Sequence, residues 1–288
     1  MNPGDIIKLK IDEELDFGYF LTDGYERVLL HNSEITQPLE DEEEVEVFLM
    51  LDSQDRLSAT MKKPLITEDG YGWTDVVSNV EKMGVFIDIG LSKDALVADD
   101  HLPLFESLWP QEGDKLYCTL RISKNGKLFA RPATEDVMME ITKKADRSAF
   151  NKDVEGRVYR TTASGTYVIT EEGYRAYIHE SQREEEPRLG SRVHGRVVDV
   201  KEDGTINISL LPRKQDAMNV DAEKVYAYMQ SRGGAMPFWD KSNPDDIKEV
   251  FGLSKAAFKR ALGSLYKSKR VYQEEGWTYT GEKKGSKE

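Results

Sequence analysis

Short runs with alternating apolar and polar positions dominate residues 153–214. Five such runs occur there, and each is bounded by glycine or by charged residues. A period of two is typical of half-buried β-strands, and runs this short exclude a long helix. Five short strands favour a closed barrel, because an open sheet of this size would leave unpaired edges. The segment therefore predicts a small five-stranded barrel of the OB type.

The same pattern occurs twice more, upstream of this segment. In each copy a glycine precedes an aromatic residue by two positions, as in Gly165–Tyr167. The copies recur at spacings of about 70 to 80 residues, which indicates an internal repeat of small domains. We therefore predict a mainly β, multidomain fold with three tandem OB-type barrels, over residues 1–63, 64–134 and 150–214.

Residues 135–149 separate the second and third predicted barrels. Apolar residues recur there at helical spacing, with charged residues between them. The apolar positions are Val137, Met138, Ile141 and Ala145. This spacing predicts a connecting helix over residues 135–149.

After Pro212 the apolar period changes from two to about three and a half, which indicates helices. The pattern predicts a helix over 221–232, a second that begins at Asn243–Pro244, and a third from Ser254 to Lys267. In the third helix the predicted core stripe consists of Ala257, Phe258, Ala261, Leu262, Leu265 and Tyr266.

A hairpin with a turn at 274–276 follows the third helix. The predicted order is two helices, a tight turn, a third helix and a hairpin. This is the order of elements in an α+β winged-helix domain. We predict this domain over residues 215–280. The polar residues 281–288 are predicted to be a disordered tail.

The composition restricts the class of protein. Cys118 is the single cysteine, which excludes a disulfide framework and fits a reducing cytoplasm. The four histidines have no metal-ligand spacing, so no metal or other cofactor is predicted. No apolar run approaches the roughly 18 residues of a transmembrane helix, and the first residues do not form a signal peptide. We therefore expect a cytoplasmic protein that does not bind membranes.

The formal net charge of −13 is unevenly distributed along the chain. Residues 1–63 contain 6 Lys and Arg against 16 Asp and Glu, whereas residues 150–214 contain 11 of each kind. Residues 215–288 contain 13 basic against 11 acidic residues. Phosphate contacts depend on charge within a Debye length of about 8–10 Å, so a local basic patch matters more than the average. The acidic total is therefore compatible with a nucleic-acid binder whose cations lie in the second half.

The third predicted barrel resembles the S1-type RNA-binding domain. Four elements carry this resemblance by their order and spacing: Gly165–Ile169, Tyr177–Ser181, Gly190–Val193 and Asp203–Ser209. The resemblance implies that Tyr167 and His179 are the stacking and hydrogen-bonding residues of an RNA-binding face. The alternative is that Tyr167 is a solvent-side strand aromatic and that His179 only ends a strand.

The first barrel resembles the third at its candidate binding positions, and the second barrel does so less closely. Phe17, Phe20 and His31 occupy the positions at which the S1-type family stacks bases. An acidic run at 40–44 opposes phosphate binding, or is simply a solvated loop. The second barrel has Ala98 where the other two have histidine, which favours a structural role for this barrel.

The third helix of the predicted winged-helix domain is basic. From Gly252 to Arg270 there are six basic residues and no acidic one. Lys255 and Lys259 are one turn apart and opposite the apolar stripe. In nucleic-acid-binding winged helices, the third helix meets the groove and the hairpin meets the backbone. The alternatives are a solvated helix face or a surface for protein contacts.

Three S1-type barrels followed by a winged helix are the arrangement of the CvfB (conserved virulence factor B) family, which the chain resembles over nearly its whole length. The resemblance implies RNA binding with modest sequence preference and effects on bacterial gene expression. It also implies a binding surface on the third barrel and the winged helix. The candidate RNA-binding residues are Tyr167, His179, Tyr177, Arg175, Arg157, Lys255, Lys259, Arg260, Lys267, Phe17, Phe20 and His31.

The leading hypothesis is a non-enzymatic regulatory protein that binds single-stranded RNA by stacking bases and contacting phosphates. The second hypothesis is a transcription factor that binds DNA through the winged helix. A ribonuclease would need clustered carboxylates for two metals or a pair of histidines, and the sequence shows neither. The sequence does not indicate an oligomeric state.

Overall fold

Three closed β-barrels and a winged-helix domain form the fold. The computed structural model describes residues 1–39 and 44–281, and for residues 214–219 the backbone alone. The chain divides into two compact units, Met1–Leu210 with the barrels and Leu211–Glu288 with the winged helix. The predicted fold class, three tandem five-stranded barrels followed by an α+β winged-helix domain, is confirmed.

The first barrel has the topology that all three share. Its strands are β1 (Ile6–Leu15), β2 (Gly18–Thr22), β3 (Arg27–His31), β4 (Glu44–Leu51) and β5 (Leu57–Thr60). They pair in the order β1-β2-β3-β5-β4, and β4 closes the barrel against β1. The β3–β5 pair is parallel, and the others are antiparallel. A bulge between Ile11 and Glu13 lets the long first strand bend, so that it pairs with both β2 and β4.

The second and third barrels repeat this order of pairing. The second consists of β6 (Tyr71–Val80), β7 (Gly84–Ile87), β8 (Ala95–Ala98), β9 (Lys115–Ile122) and β10 (Leu128–Pro132). The third consists of β11 (Asp153–Thr162), β12 (Gly165–Thr170), β13 (Arg175–His179), β14 (Arg192–Val200) and β15 (Ile206–Ser209). Both again have a bulge in the long first strand.

A glycine at the start of the second strand fixes the register of the first and third barrels. Gly18 pairs with His31, and Gly165 pairs with His179. A Cβ atom at either glycine would collide with the carbonyl oxygen that precedes the histidine on the neighbouring strand. The close approach therefore requires glycine. In both barrels it places the histidine at the end of the third strand.

The second barrel shares its core with both neighbours. Phe48 and Met50 from β4 and Leu189 from the third barrel belong to the same buried cluster as the side chains of the second barrel itself. A backbone hydrogen bond of 3.2 Å from Lys115 N to Gly190 O also joins the second barrel to the third. The three barrels are therefore packed together as one unit.

The segment between the second and third barrels is less helical than predicted. The helix α1 spans Glu135–Glu140, whereas the sequence predicts a helix over 135–149. Beyond α1, Lys143 N and Ala145 N donate to carbonyl oxygens in two loops of the third barrel, at 2.7 and 2.9 Å. Ala145 is buried in the core of that barrel. The helix ends early because these backbone donors bind to the barrel instead of to the preceding turn.

The second unit contains three helices and a small sheet. Its elements are α2 (Lys214–Ser231), β16 (Ala235–Met236), α3 (Pro244–Phe251), α4 (Lys255–Lys267), β17 (Val271–Glu274) and β18 (Trp277–Thr280). The strands form a sheet in the order β16-β18-β17. The side chain of Asn243 caps α3, and that of Ser254 caps α4 as predicted. The helix α2 begins well before residue 221, its predicted start.

The apolar side of α4 packs into the core of the winged-helix domain. Phe258, Ala261, Leu262 and Leu265 are buried there, as predicted. Tyr266 was predicted to belong to the same stripe, but its side chain is 64% exposed. One residue beyond Leu265 the helix has turned by about 100°, which moves this side chain off the buried side.

Two predicted segments lie almost entirely outside the residues that the structure describes. The acidic run at 40–44 lies outside the described residues except for Glu44, which begins β4. The predicted tail at 281–288 lies outside them except for Gly281. Within the described part of the chain, no helix combines the length and apolarity needed to cross a bilayer.

Candidate nucleic-acid interface

Four aromatic side chains, which we call the aromatic row, cross the outer face of the third barrel. They are Tyr159 of β11, Tyr167 of β12, and Tyr177 and His179 of β13. The ring centroids of successive members are 6.1, 5.1 and 6.5 Å apart. These rings are close enough to interact, and together they form a contiguous aromatic surface.

Strand alternation turns the aromatic row away from the barrel core. Val168 and Ala176, the strand neighbours of Tyr167 and Tyr177, are fully buried. Successive side chains of a strand point to opposite faces, so the two tyrosines point outward and remain partly exposed. The two tyrosines are also paired across β12 and β13, which places their rings side by side.

Two arginines lie over Tyr167. The bulge in β11 brings consecutive residues, Tyr159 and Arg160, into contact with this ring. The guanidinium carbon of Arg160 is 5.5 Å from the ring centroid of Tyr167, and that of Arg175 is 4.8 Å from it. Both distances are typical of cation–π contacts. The ring therefore lies beside two positive charges whose donors also suit phosphate oxygens.

The carboxylate of Glu135 holds both arginines. Arg175 donates from Nε to Oε1 at 2.7 Å, and Arg160 donates from Nη1 to Oε2 at 3.3 Å. The hydroxyl of Tyr159 donates to the same carboxylate at 3.1 Å. Glu135 is the first residue of α1, so this short helix is attached to the aromatic row. Sequence reasoning missed Glu135, Arg160 and Tyr159, because no spacing in the chain connects α1 to the bulged strand.

This arrangement also shifts two pKa values. Burial, and then the negative charge of Glu135, raise the pKa of the Tyr159 hydroxyl. Partial burial by itself would lower the pKa of Arg175, but the hydrogen bond to Glu135 and the charge interactions with Tyr159 and Glu135 together outweigh it, and the pKa is raised. Both groups therefore stay protonated at neutral pH and keep their hydrogen-bond donors.

His179 and His31 have the same local role in their barrels. Each caps a short 3₁₀ helix, because the backbone N–H of Ser181 or Ser33 donates to the ring Nδ1 at 3.2 Å. A ring that accepts at Nδ1 carries its proton on Nε2 when it is neutral. Both side chains are exposed. Each histidine therefore ends its strand and leaves its ring exposed to solvent.

The first barrel repeats the pair of aromatic ring and arginine. The guanidinium carbon of Arg27 is 4.5 Å from the ring centroid of Phe20. Arg27 also forms ion pairs with Asp12 at 2.7 Å and with Glu13 at 2.5 Å. Phe17 lies half exposed between β1 and β2. The first barrel therefore presents aromatic rings, but two carboxylates neutralise its arginine.

The second barrel has different side chains at the same register. Phe86 is the aromatic residue of β7, but the position of the arginine is taken by Asp94 and that of the histidine by Ala98. Burial, and then the charge of Asp88, raise the pKa of Asp94. A carboxylate at this position repels phosphate. The outer face of the second barrel is therefore unsuited to a nucleic-acid backbone at these positions.

The other two candidates of the third barrel are Tyr177 and Arg157. The hydroxyl of Tyr177 donates to Ser164 O at 2.5 Å, and its ring packs over Gly165. Arg157 donates from Nη1 to Gly190 O at 3.3 Å and lines a cavity of about 530 Å³ shared with the second barrel. The structure thus brings together Tyr167, Tyr177, His179 and Arg175, and Arg157 lines the cavity shared with the second barrel.

In the winged-helix domain the predicted basic residues lie on the outer side of α4. Lys259, Arg260 and Lys267 are exposed, and Lys255 is partly exposed. The exposed Tyr266, which sequence reasoning assigned to the core, lies among them. The helix contains no acidic residue, so its outer side is positively charged.

The described residues offer little for metal or thiol chemistry. In residues 1–39 and 44–281, no group of three or more His, Cys, Asp or Glu side chains is placed to hold a metal ion. Cys118 is buried, and burial raises the pKa of its thiol to about 12. A thiol with such a pKa is a poor nucleophile at neutral pH.

The barrels and the C-terminal domain define a class of protein: tandem S1-type barrels followed by a winged helix. Four family profiles match successive segments of the chain. They are the S1 domain at 3–62, the CvfB first S1-like domain at 71–131, the second domain of virulence regulatory factor CvfB at 138–212, and the CvfB-like winged helix domain at 223–279.

Similar proteins match over most of the chain. "Uncharacterized protein YitL" of Bacillus subtilis (strain 168) is 61% identical over 97% of this chain and 94% of its own length. "Conserved virulence factor B" of Staphylococcus epidermidis is 39% identical over 87% of this chain and 85% of its own length. The chain belongs to the CvfB family.

A solved structure is similar over almost the whole length. It is the crystal structure of a multidomain protein with nucleic acid binding domains from Streptococcus pneumoniae, and its sequence is 34% identical. The match covers 96% of this chain and 98% of that chain, with a TM-score of 0.67.

Proposed function

We propose that this protein is a non-enzymatic regulator that binds single-stranded RNA and modulates gene expression in the bacterial cytoplasm. The observation that supports this best is the aromatic row, with two arginines beside Tyr167. An unpaired nucleotide needs an aromatic surface for its base and cationic donors for its phosphate. Relatives named "Conserved virulence factor B" support the regulatory part of the proposal.

Binding involves an exchange at Glu135. In the free protein its carboxylate accepts from Arg160 and Arg175. A phosphate group offers the same kind of acceptor and also forms bidentate contacts with a guanidinium group. In the RNA complex the arginines turn from Glu135 to the phosphate, and this movement uncovers the ring of Tyr167 for a base.

The spacing of the rings favours single strands. Side-by-side rings 5.1 to 6.5 Å apart receive bases that have left a helical stack. Stacking depends little on base identity, so only modest sequence preference is expected. The exposed basic side of α4 supplies further phosphate contacts. The first barrel is a weaker site, because Asp12 and Glu13 neutralise Arg27.

The test is a fluorescence-anisotropy titration of the whole chain. The probes are a single-stranded RNA of about 12 nucleotides, the matched single-stranded DNA and a duplex DNA. We expect the RNA to bind most tightly and its affinity to fall as salt is raised. Tyr167→Ala should weaken RNA binding, whereas Tyr25→Ala, which removes a tyrosine that is 97% exposed on the first barrel, should not. A whole chain that binds no RNA would overturn the proposal.

A second candidate function is duplex-DNA binding through α4. The basic, exposed outer side of this helix is the observation that favours it. It predicts a duplex preference that the double change of Lys255 and Lys259 to Ala abolishes and that Tyr167→Ala leaves intact. The same three probes distinguish the two functions.

A further inference from the structure

We infer that the open face of the winged-helix sheet is a second stacking platform for unpaired RNA bases, formed by Tyr272, Trp277 and Tyr279. We call these residues the wing platform. The inference rests on the proposed function for its ligand, single-stranded RNA, but it concerns residues outside the interface described above. Neither the sequence pattern nor the resemblance to the winged-helix domain singles out these three rings.

The hairpin places the three rings on one face of the sheet. Tyr272 and Tyr279 pair across β17 and β18, and Trp277 lies two positions before Tyr279 on the same strand. Residues two apart on a strand, and residues paired directly across strands, share a face. The neighbours Val271 and Thr278 point to the opposite face and are buried. The wing platform is therefore the side of the sheet away from the domain core.

The domain core does not require these rings. The buried cluster of this domain is built on other aromatic side chains, among them Phe238, Phe251 and Phe258. None of the wing-platform residues belongs to that cluster, and Trp277 is 43% exposed. Exposed tryptophan is uncommon on protein surfaces outside binding sites.

The relative angles of the rings favour a planar ligand. The ring planes of Tyr272 and Tyr279 are 20° apart at a centroid distance of 5.2 Å, and those of Trp277 and Tyr279 are 25° apart at 6.5 Å. In the core of the same domain, by contrast, Phe238 and Phe251 meet edge to face at 79°. Nearly parallel rings direct their flat faces the same way, which allows planar nucleobases to stack on them.

The surrounding charges favour RNA as the occupant and fix where its backbone runs. The basic helix α4 leads directly into β17, and the exposed Lys267 lies near the start of this strand. Arg270, just before β17, forms an ion pair with Glu223. Glu274 and Glu275 are exposed at the tip of the hairpin. Phosphates therefore pass the α4 end of the sheet, and Trp277, which pairs with Glu274 at the acidic tip, marks the other end of the platform.

The experiment uses the whole chain and single substitutions in the wing platform. Trp277→Ala removes one exposed ring, and Tyr272→Leu removes another while it keeps an apolar side chain on the strand. Val250→Ala, which trims an exposed apolar residue of α3, is the matched control. With a single-stranded RNA of about 12 nucleotides, each platform variant should raise Kd about fivefold or more, as expected for the loss of one stacked base.

Two further measurements test the stacking itself. Trp277→Phe keeps a ring and should retain most of the affinity that Trp277→Ala loses. An RNA with 4-thiouridine at alternate positions should crosslink to residues 271–280 on irradiation. If Trp277→Phe binds as weakly as Trp277→Ala, or if no crosslink forms in this segment, stacking at the platform is overturned.

Failure of this inference can be distinguished from failure of the proposed function. If Tyr167→Ala weakens RNA binding but both platform variants match Val250→Ala, the platform is overturned and the proposed function stands. If the unmodified chain binds no RNA, the proposed function and the platform fall together.

Discussion

The second and third barrels have the same strand order but different outer faces. The third barrel has Arg175 and His179 beside its central aromatic ring, whereas the second has Asp94 and Ala98 at the same positions. Their closing strand pairs are equivalent. The same backbone thus presents two different sets of outward-pointing side chains, and the proposed site depends on a few of these side chains on adjacent strands.

The largest effect is expected when Arg175 of the third barrel is replaced by aspartate, the residue type at the equivalent position, Asp94, of the second barrel. Arg175→Asp removes a guanidinium group that would donate hydrogen bonds to phosphate, and it places a carboxylate beside Glu135. We expect RNA binding to weaken by about 3 kcal/mol, as for the loss of a charged partner in a hydrogen-bonded pair. Anisotropy titration measures this change. Asp94→Ala is the control in the second barrel, and an unchanged Kd for Arg175→Asp would refute the role of the arginine.

A smaller loss is expected when the aromatic ring alone is removed. Tyr167→Ala should weaken RNA binding by about 1–2 kcal/mol, since one stacked base loses its support. Phe86→Ala, the equivalent change in the second barrel, should leave Kd within about 0.5 kcal/mol of the unmodified value. Equal losses in the two variants would show that both barrels bind RNA and would remove the contrast between them.

A gain is expected when the carboxylate that holds the arginines is neutralised. Glu135→Gln keeps the shape of the side chain but weakens its hold on Arg160 and Arg175, so phosphate competes more easily. RNA affinity should rise by less than about 1 kcal/mol, and Tm should fall slightly because α1 is less firmly attached. Asp136→Asn, which changes the next residue of α1, serves as the control. A loss of affinity in Glu135→Gln would mean that Glu135 instead orients the arginines for RNA.

The smallest effect concerns the stability of the second barrel. The raised pKa of Asp94 means that the folded state binds this proton more tightly than the unfolded state does, so ionisation of Asp94 costs stability above the folded pKa. Asp94→Asn should therefore raise Tm slightly at pH 7. The difference should shrink as the pH falls through the folded pKa and vanish below about pH 3, where Asp94 is protonated in both states. Thermal melts at several pH values measure it, and a constant difference across this range would contradict the assignment.

Local patterns were sufficient to predict most of the fold. The glycine before each aromatic strand is needed for a close approach between strands, so its recurrence marks the same step in each barrel. The caps at Asn243 and Ser254 likewise act within one turn of the chain. The helix predicted over 135–149 was too long, because contacts with distant loops determine where α1 ends.

The candidate site was predictable only in part, for the same reason. Tyr167, Tyr177 and His179 lie on adjacent strands of one motif, and a pattern of period two places them on one face. The bulge in β11 interrupts that period, so the contribution of Tyr159 could not be derived from alternation. Glu135 reaches the site from α1, outside the barrel. No regular spacing in the sequence connects it to the barrel residues that it contacts.

The shared core of the barrels limits how far the chain can be divided. Phe48 and Met50 belong to the first barrel and Leu189 to the third, but their side chains pack in the core of the second barrel. Deletion of residues 64–134 would therefore expose these three side chains to water and destabilise both neighbours. Residues 1–210 should unfold in a single cooperative transition rather than in three. The barrel with the least suitable outer face for RNA is thus the one whose core stabilises both of the others.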